Sequence, residues 1–216
     1  MAEDWISINL NAGTIERAER FLKAFGKLAE PGIQRAMNRA IVGVGTDASK
    51  VVREAYNVKA RDVKASFTIY RAGGGGSAHG GMHGGSLQVS AVSRGRKIPM
   101  MSFRPRPATA SRKRMPPIGA SAMIQKGVRK AIPGAFVGTS GKGDLRMYVR
   151  SSNKPFMLKG KRTWKLRPLT GPSIPQMIGS MSHPEIFDTL SGNARQRYEK
   201  NFAHEMDRLL ERLGVR

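Results

Sequence analysis

Residues 184–213, PEIFDTLSGNARQRYEKNFAHEMDRLLERL, decide the fold class at the C-terminal end of the chain. Apolar side chains recur there every three or four positions, which is the spacing of one face of an α-helix. The recurring positions are Ile186, Leu190, Ala194, Tyr198 (or Arg197), Phe202, Met206, Leu209 and Leu213. This pattern predicts a long amphipathic helix from Pro184 to Leu213, with Gly192 as a weak point within it.

The N-terminal part also predicts helices, preceded by one short strand. Trp5–Leu10 alternates apolar and polar residues, as a half-buried strand does. A first helix follows, and a longer second helix is expected over Pro31–Ala55, with the proline in a first-turn position where it is tolerated. Gly43 and Gly45 interrupt the apolar stripe of that helix, which predicts that another backbone packs closely there. One or two further helical turns are expected over residues 58–65.

The middle of the chain consists of short segments with strand character, separated by turns rich in glycine, lysine and asparagine. These segments are Ser66–Arg71, Leu87–Val92, Ile98–Phe103, Ala120–Ile124, Ala135–Thr139, Leu145–Arg150 and Trp164–Leu169. Residues 72–85 form a glycine-rich loop, across which the first two strands are expected to pair as a hairpin. Residues 104–117 combine prolines with basic side chains and predict an extended basic arm.

Helical ends around a β-rich middle predict an α+β fold rather than a parallel α/β fold. We expect one domain over residues 1–216, in which N-terminal helices and a long C-terminal helix pack on an antiparallel β-rich middle with long basic loops. Its parts are residues 1–65 with the first strand and helices, residues 66–170 with the basic strands, and residues 171–216 with a loop and the last helix.

Charge is distributed unevenly along the chain. Between Val63 and His183 there are 22 Lys or Arg residues and a single acid, Asp144. The whole chain has 38 basic and 15 acidic residues, so 16 basic and 14 acidic residues remain for the flanks. Of the net charge of +23, about +21 therefore belongs to the middle. Such segregation predicts a surface that faces a polyanion, most commonly nucleic acid, although a solvated basic face without a partner gives the same pattern.

The residue types that catalysis or metal binding needs are scarce or badly placed. Cysteine is absent, which excludes disulfides, thiolate metal sites and thiol nucleophiles. Asp47, Glu54 and Asp62 are explained by salt bridges on helix faces. His79 and His83 lie in the glycine-rich loop, where no helix holds them at a metal-binding spacing. We therefore expect a protein that is not an enzyme and that uses no metal and no cofactor.

The hydropathy pattern predicts a soluble protein made in the cytosol. No apolar run approaches the roughly 20 residues that a membrane-spanning helix needs. The acidic start, Met1–Trp5, also lacks the basic and apolar regions of a signal peptide. No membrane partner is therefore expected.

The basic residues of the middle fall into three clusters. The first is Arg94, Arg96 and Lys97, the second is Arg104, Arg106, Arg112, Lys113 and Arg114, and the third is Lys159, Lys161, Arg162, Lys165 and Arg167. Aromatic residues make up only 6% of the chain, so a platform of stacked bases is not expected from composition. The clusters favour sequence-independent contact with phosphates, or contact with acidic surfaces of neighbouring subunits.

Several stretches, taken in order, resemble one known family. They are Ala36–Ala40, Tyr56–Val63, Val92–Pro99, Phe103–Pro107, Ile132–Val137 and Leu169–Met177. Together they resemble the minor tail protein Z family of tailed bacteriophages and prophages, also called tail completion proteins. The likeness extends from about Ile33 to the terminal helix, and the run Gly171–Met177 (GPSIPQM) is its most specific part.

The resemblance implies a structural virion protein at the head-proximal end of the tail, where the tail tube meets the neck. Proteins of that region form rings, often sixfold, around the channel that DNA traverses. The implied partners are copies of the chain itself in a ring, expected to be a hexamer, together with the tail tube, tail terminator and neck proteins. The DNA end is a further partner that the basic clusters would suit. The family has no known catalytic residues.

Two segments combine prolines with apolar residues of an exposed type and are predicted to dock subunits or partners. Their residues are Ile132, Pro133 and Phe136 in the first segment, and Pro172, Ile174, Pro175 and Gln176 in the second. Well-packed turns are the alternative explanation for both.

Two rival functions remain open at this point. A free cytosolic protein that binds nucleic acid without sequence preference would carry the same basic clusters. A nuclease would need clustered carboxylates to hold its metal ions beside phosphate. Salt-sensitive duplex binding by the isolated monomer favours the first rival, and cleavage that stops on chelation favours the second.

Overall fold

The computed structural model describes residues 4–11, 16–73, 87–110, 118–151, 154–158 and 161–214, and these have the predicted α+β fold. The helices are α1 (Glu16–Phe25), α2 (Glu30–Val42), α3 (Val44–Ala55), α4 (Ala60–Ala65), α5 (Ile174–Ile178) and α6 (Glu185–Arg212). The strands are β1 (Asp4–Asn11), β2 (Phe67–Tyr70), β3 (Gln88–Gly95), β4 (Ser121–Ala122), β5 (Lys130–Ala131), β6 (Phe136–Thr139), β7 (Leu145–Arg150), β8 (Phe156–Leu158), β9 (Lys161–Thr163) and β10 (Leu166–Pro168).

The C-terminal helix α6 is the centre of the helical core. It is continuous through Gly192 and packs against α2 and α3. The buried positions of its predicted stripe are Ile186, Leu190, Ala194, Tyr198, Phe202 and Met206. Side chains four residues apart lie near each other on the helix surface, but each four-residue step turns by about 40° more than a full turn. The buried stripe therefore winds gradually around α6 as it follows the core. Leu213, at the end of the stripe, is exposed.

The predicted single helix over Pro31–Ala55 is wrong, because the chain breaks at Gly43 into α2 and α3. The expectation of a second backbone packed against the glycines is also wrong. The guanidinium of Arg197 from α6 occupies the space beside Gly43, where a Cβ atom would overlap it. The same Arg197 donates to the carbonyl of Ala40 at 3.4 Å, so it satisfies one of the carbonyl groups near the end of α2.

The first sheet has the strand order β1-β3-β2 and is antiparallel throughout. The predicted hairpin of β2 and β3 is confirmed, and β1 adds to the other side of β3. Ile8, Val89 and Ala91 are buried on the inner face, which packs toward the helices. The alternate residues, such as Trp5 and Tyr70, lie on the outer face.

The second sheet has the strand order β10-β7-β6. The pairing of β7 with β10 extends beyond the last registered pair, because the backbone N–H of Ser151 donates to the carbonyl of Lys165 at 2.9 Å. Strands β8 and β9 form a separate two-stranded hairpin. Val137 and Met147 are buried on the inner face. Among the described residues, the core of the chain therefore packs on this inner face of the second sheet.

The predicted strand over Ile98–Phe103 is wrong. This segment forms a 3₁₀ turn at Met100–Ser102, preceded by one isolated bridge between Pro99 and Thr170. Proline has no N–H group for a strand ladder, so Pro99 ends the pairing. The turn then directs the buried ring of Phe103 against Gly171, where a side chain would overlap it.

Candidate partner-binding surface

The first basic cluster lies at the end of β3, where all three side chains are exposed. The backbone N–H of Arg94 donates to the carbonyl of Ser66 at 2.8 Å, which holds the start of the cluster on the first sheet. Farther along, the N–H of Gly171 donates to the carbonyl of Ile98 at 2.8 Å. Two backbone anchors therefore fix the Arg94–Lys97 segment, and the second of them brings it beside the predicted docking segment at residues 171–176.

That docking segment is built around a capping box at the start of α5. The Ser173 Oγ accepts from the N–H of Gln176 at 3.4 Å, and the Ser173 N–H donates to Gln176 Oε1 at 3.1 Å. Ile174 and Pro175 are buried in the core of the chain itself, so their side chains are not available to a partner. Pro172, which is partly buried, and Gln176, which is exposed, are the residues of this segment that a partner can reach.

The other docking segment divides between a cleft and a sheet face. Ile132 packs partly against the core and Pro133 is exposed, and both line a cleft of about 470 Å³. The turn is tight because Gly119, at φ 90°, lies against the carbonyl of Ile132. Phe136 lies in β6 instead, where it pairs with Tyr148 on the outer face of the second sheet. The segment thus offers two separate surfaces.

The described part of the second cluster, Arg104 and Arg106, is anchored to β4. Arg106 and Ser121 exchange two backbone hydrogen bonds of 2.8 Å. Arg129, which the charge clusters did not include, donates from Nη1 to the carbonyl of Arg104 at 2.9 Å. The expected extended arm is therefore tied down at its beginning, with both arginine side chains exposed. Residues 112–114 lie outside the described part of the chain.

The third cluster follows the extension of β7 and β10. Lys165 and Arg167 are exposed, and the carbonyl of Lys165 accepts from both the N–H and the Oγ of Ser151, at 2.9 and 3.0 Å. Lys161 and Arg162 lie in β9, which pairs with β8, and only their backbone is described. Lys159 lies outside the described residues. The described members of this cluster thus lie in β9 and in the segment that leads into and through β10.

Comparison with known protein families indicates what kind of protein carries these clusters. The family model described as prophage minor tail protein Z matches residues 14–213. The chain belongs to this family. The resemblance drawn from the sequence is thereby confirmed, and the chain has a structural role in a phage tail. No curated protein and no solved structure matches the chain.

In this minor tail protein, two buried acidic residues of the described helices, Asp47 and Glu205, form ion pairs between helices. Arg197 of α6 binds both carboxylate oxygens of Asp47 in α3, at 3.0 and 2.8 Å. The Asp47 pair thus joins two helices rather than lying along one helix face as predicted. The described residues contain no group of three or more His, Asp or Glu side chains that is able to hold a metal ion. None of the described helices is both long and apolar enough to cross a membrane.

A second buried carboxylate joins α2 to α6. Glu205 accepts from Arg35 Nε and from Arg39 Nη1, both at 2.8 Å, and its own side chain is fully buried. Burial by itself raises the pKa of Glu205. The hydrogen bond and charge of Arg35, with the charges of Arg39 and Arg208, more than offset this, so the pKa lies below its ordinary value. Glu205 is therefore an ionised structural residue in this minor tail protein.

The clusters defined from sequence left out a set of residues on the outer face of the second sheet. Arg146, Tyr148 and Arg150 alternate along β7 with the buried Met147, so they share this face. Phe136 of β6 lies beside Tyr148. The alternation from Arg146 to Arg150 is a signal that the sequence does contain, but charge counts along the chain do not reveal it.

Proposed function

We propose that this minor tail protein completes the head-proximal end of the tail and joins the tail to the neck or head, as a ring of copies around the DNA channel. It assembles in the host cytoplasm and remains in the virion at the junction of tail and neck. It acts without catalysis. The ring, its position and the joining step go beyond membership of the family, which supports a structural role in the tail.

One observation carries the proposal: two exposed cations of the first cluster, Arg94 and Lys97, lack an acidic partner in the described part of the chain. Asp144, the one acid between Val63 and His183, pairs with Arg146 instead, at 3.6 Å. A surface of this kind gains free energy when an anionic partner displaces its counterions.

In a ring, the positive fields of the copies add, because each copy presents the same face to the centre or to the neighbouring layer. That field suits either the phosphates of the DNA end or the carboxylates of acidic neck and tube proteins. Pro172 and Gln176, beside the first cluster, are the parts of the second docking segment that would touch such a partner.

The test removes the charge of the clusters while keeping the fold. In one phage variant, Arg94, Arg96, Lys97, Arg112, Lys113 and Arg114 are each replaced by Gln. We expect folded protein, normal tails and filled heads, but few joined particles by electron microscopy. A control with Lys50→Gln, Arg53→Gln and Lys200→Gln removes exposed charge from α3 and α6 only and should assemble normally.

Normal infectious particles from the first variant would contradict the proposal. If joining is normal while the purified monomer binds duplex DNA with a steep dependence on salt, the alternative of a free cytosolic nucleic-acid-binding protein gains support.

A further inference from the structure

The outer face of the β10-β7-β6 sheet carries aromatic rings that the core does not use. Phe136 and Tyr148 are registered partners, and their ring centroids lie 6.1 Å apart at an angle of 34°. Both rings are partly exposed. On the next strand Leu166, opposite Arg150, is 43% exposed. The inner face already supplies the packing of this sheet through Val137 and Met147, so the outer rings are not needed for the core.

Arginines flank the two rings along the central strand. Arg146 lies two residues before Tyr148, and Arg150 lies two residues after it, so all three point to the same side. The guanidinium carbon of Arg150 is 4.6 Å from the ring centroid of Trp164, within the range of a cation–π contact. Aromatic and cationic side chains thus alternate along the outer face.

A glycine keeps one part of this face open. Gly138 is the registered partner of Arg146, and a Cβ atom there would lie 3.4 Å from the Tyr148 ring and 3.6 Å from the Phe136 ring. Because Gly138 has no side chain, the edges of both rings remain accessible from the side of Arg146. The face is therefore shaped to admit a flat group next to the rings.

We propose that this outer face binds single-stranded nucleic acid, with bases stacked on Phe136 and Tyr148 and phosphates held by Arg146 and Arg150. Antiparallel sheets with exposed aromatic residues and flanking cations bind single strands in this way, since every base has a face that stacks. In a duplex the base faces are already stacked on each other, so a duplex would use the arginines and leave the rings unused. An acidic protein would likewise leave them unused.

The site is independent of the proposed joining role, which depends on the first two clusters. The low aromatic content of the chain as a whole does not conflict with it, because three aromatic residues, Phe136, Tyr148 and Trp164, are concentrated on this one face.

The experiment measures the affinity of the full-length purified protein for fluorescein-labelled oligothymidylate of about 12 nucleotides, within the range of site sizes known for single-strand binders. Fluorescence anisotropy at near-physiological salt compares this probe with a duplex of the same length. We expect the single strand to bind more tightly. Phe136→Ala and Tyr148→Ala should each weaken binding of the single strand about tenfold and leave duplex binding unchanged.

Matched controls separate stacking from loss of fold or of charge. Tyr148→Phe keeps the ring and should retain the affinity. Tyr70→Ala removes a partly exposed tyrosine from the outer face of the other sheet and should change nothing. The chain has two tryptophans, so in a Trp5→Phe background the emission of Trp164 reports on this face alone and should change on binding.

Three results would overturn the proposal. Equal or tighter binding of the duplex would show that only phosphates are recognised. Unchanged affinity in both alanine variants would show that the rings do not stack. A change in Trp164 emission with polyglutamate that matches the change with oligothymidylate would show that the face takes an acidic protein instead.

Discussion

Replacing Glu205 by Gln tests whether the buried ion pairs of α6 hold the helical core together. The Glu205 side chain has no exposed surface, while the side chains of its partners Arg35 and Arg39 are each 50% exposed. Glutamine keeps the shape but removes the charge, which leaves two arginines facing a neutral amide between α2 and α6. We therefore expect the contact between these two helices to weaken while the fold is retained.

The size of the effect follows from the burial of the three groups. Breaking a fully buried ion pair by removing one partner costs about 3–5 kcal/mol, and the half-exposed arginines recover part of this from water, so we expect about 3 kcal/mol. For a chain of this size that lowers the melting temperature by roughly 6–12 °C. The matched control is Glu199→Gln on the same helix, whose pair with Arg195 at 3.4 Å is exposed. It should cost at most about 0.5 kcal/mol.

The pH dependence provides a second measurement on the same two variants. The pKa of Glu205 is lowered in the folded state, so its ionised form stabilises that state. This contribution to the free energy of unfolding is fully present above the unfolded-state pKa, about 4.3. It is lost as the pH falls from there through the lower folded-state pKa. At neutral pH, urea unfolding should therefore give a higher free energy of unfolding for wild type than for Glu205→Gln. This difference should narrow below about pH 4. Equal losses of unfolding free energy in the Glu205 and Glu199 variants, or a difference from wild type that does not change with pH, would contradict this prediction.

Three further substitutions test individual packing features by thermal unfolding. Gly43→Val should cost at least about 2 kcal/mol, because the new side chain displaces the Arg197 guanidinium; an unchanged melting temperature would contradict that packing. Tyr198→Phe should stabilise the protein by about 1 kcal/mol, because its buried hydroxyl has no hydrogen-bond partner among the described residues; a loss of stability would reveal one. Gly119→Ala should cost about 2 kcal/mol, since its φ is 90° and a Cβ atom meets the carbonyl of Ile132; a neutral result would show that this turn relaxes easily.

Local periodicity predicted the elements in which one face packs against the core. The stripe from Ile186 to Met206 specified α6, and the alternation in Leu87–Val92 specified β3 and its pairing with β2. Both patterns depend on neighbours in sequence, and they remain visible without knowledge of the rest of the fold. The capping box Ser173–Gln176 is a similar local signal that the sequence contains and that marks the start of α5.

Features that depend on distant contacts were not predictable in this way. The break at Gly43 is explained by Arg197, more than a hundred positions away, and the turn after Pro99 by the fit of Phe103 against Gly171. The residues available to a partner also depend on contacts between segments that are distant in sequence. The prolines around Ile174 led us to predict that it docks a partner, but Ile174 is buried because α5 packs against the first sheet. The cluster of rings and arginines on the second sheet requires the register of β6, β7 and β10, which no local pattern fixes.

We expect the basic middle of the chain to face an anionic partner within the assembled phage tail. Electron cryomicroscopy of the assembled particle, at a resolution that traces this chain, would show which groups the basic side chains contact. We expect copies in a ring at the head-proximal end of the tail, with Arg94 and Lys97 in contact with DNA phosphates or with carboxylates of a neighbouring protein. A map that shows these side chains in bulk solvent, or the chain at the distal end of the tail, would contradict this expectation.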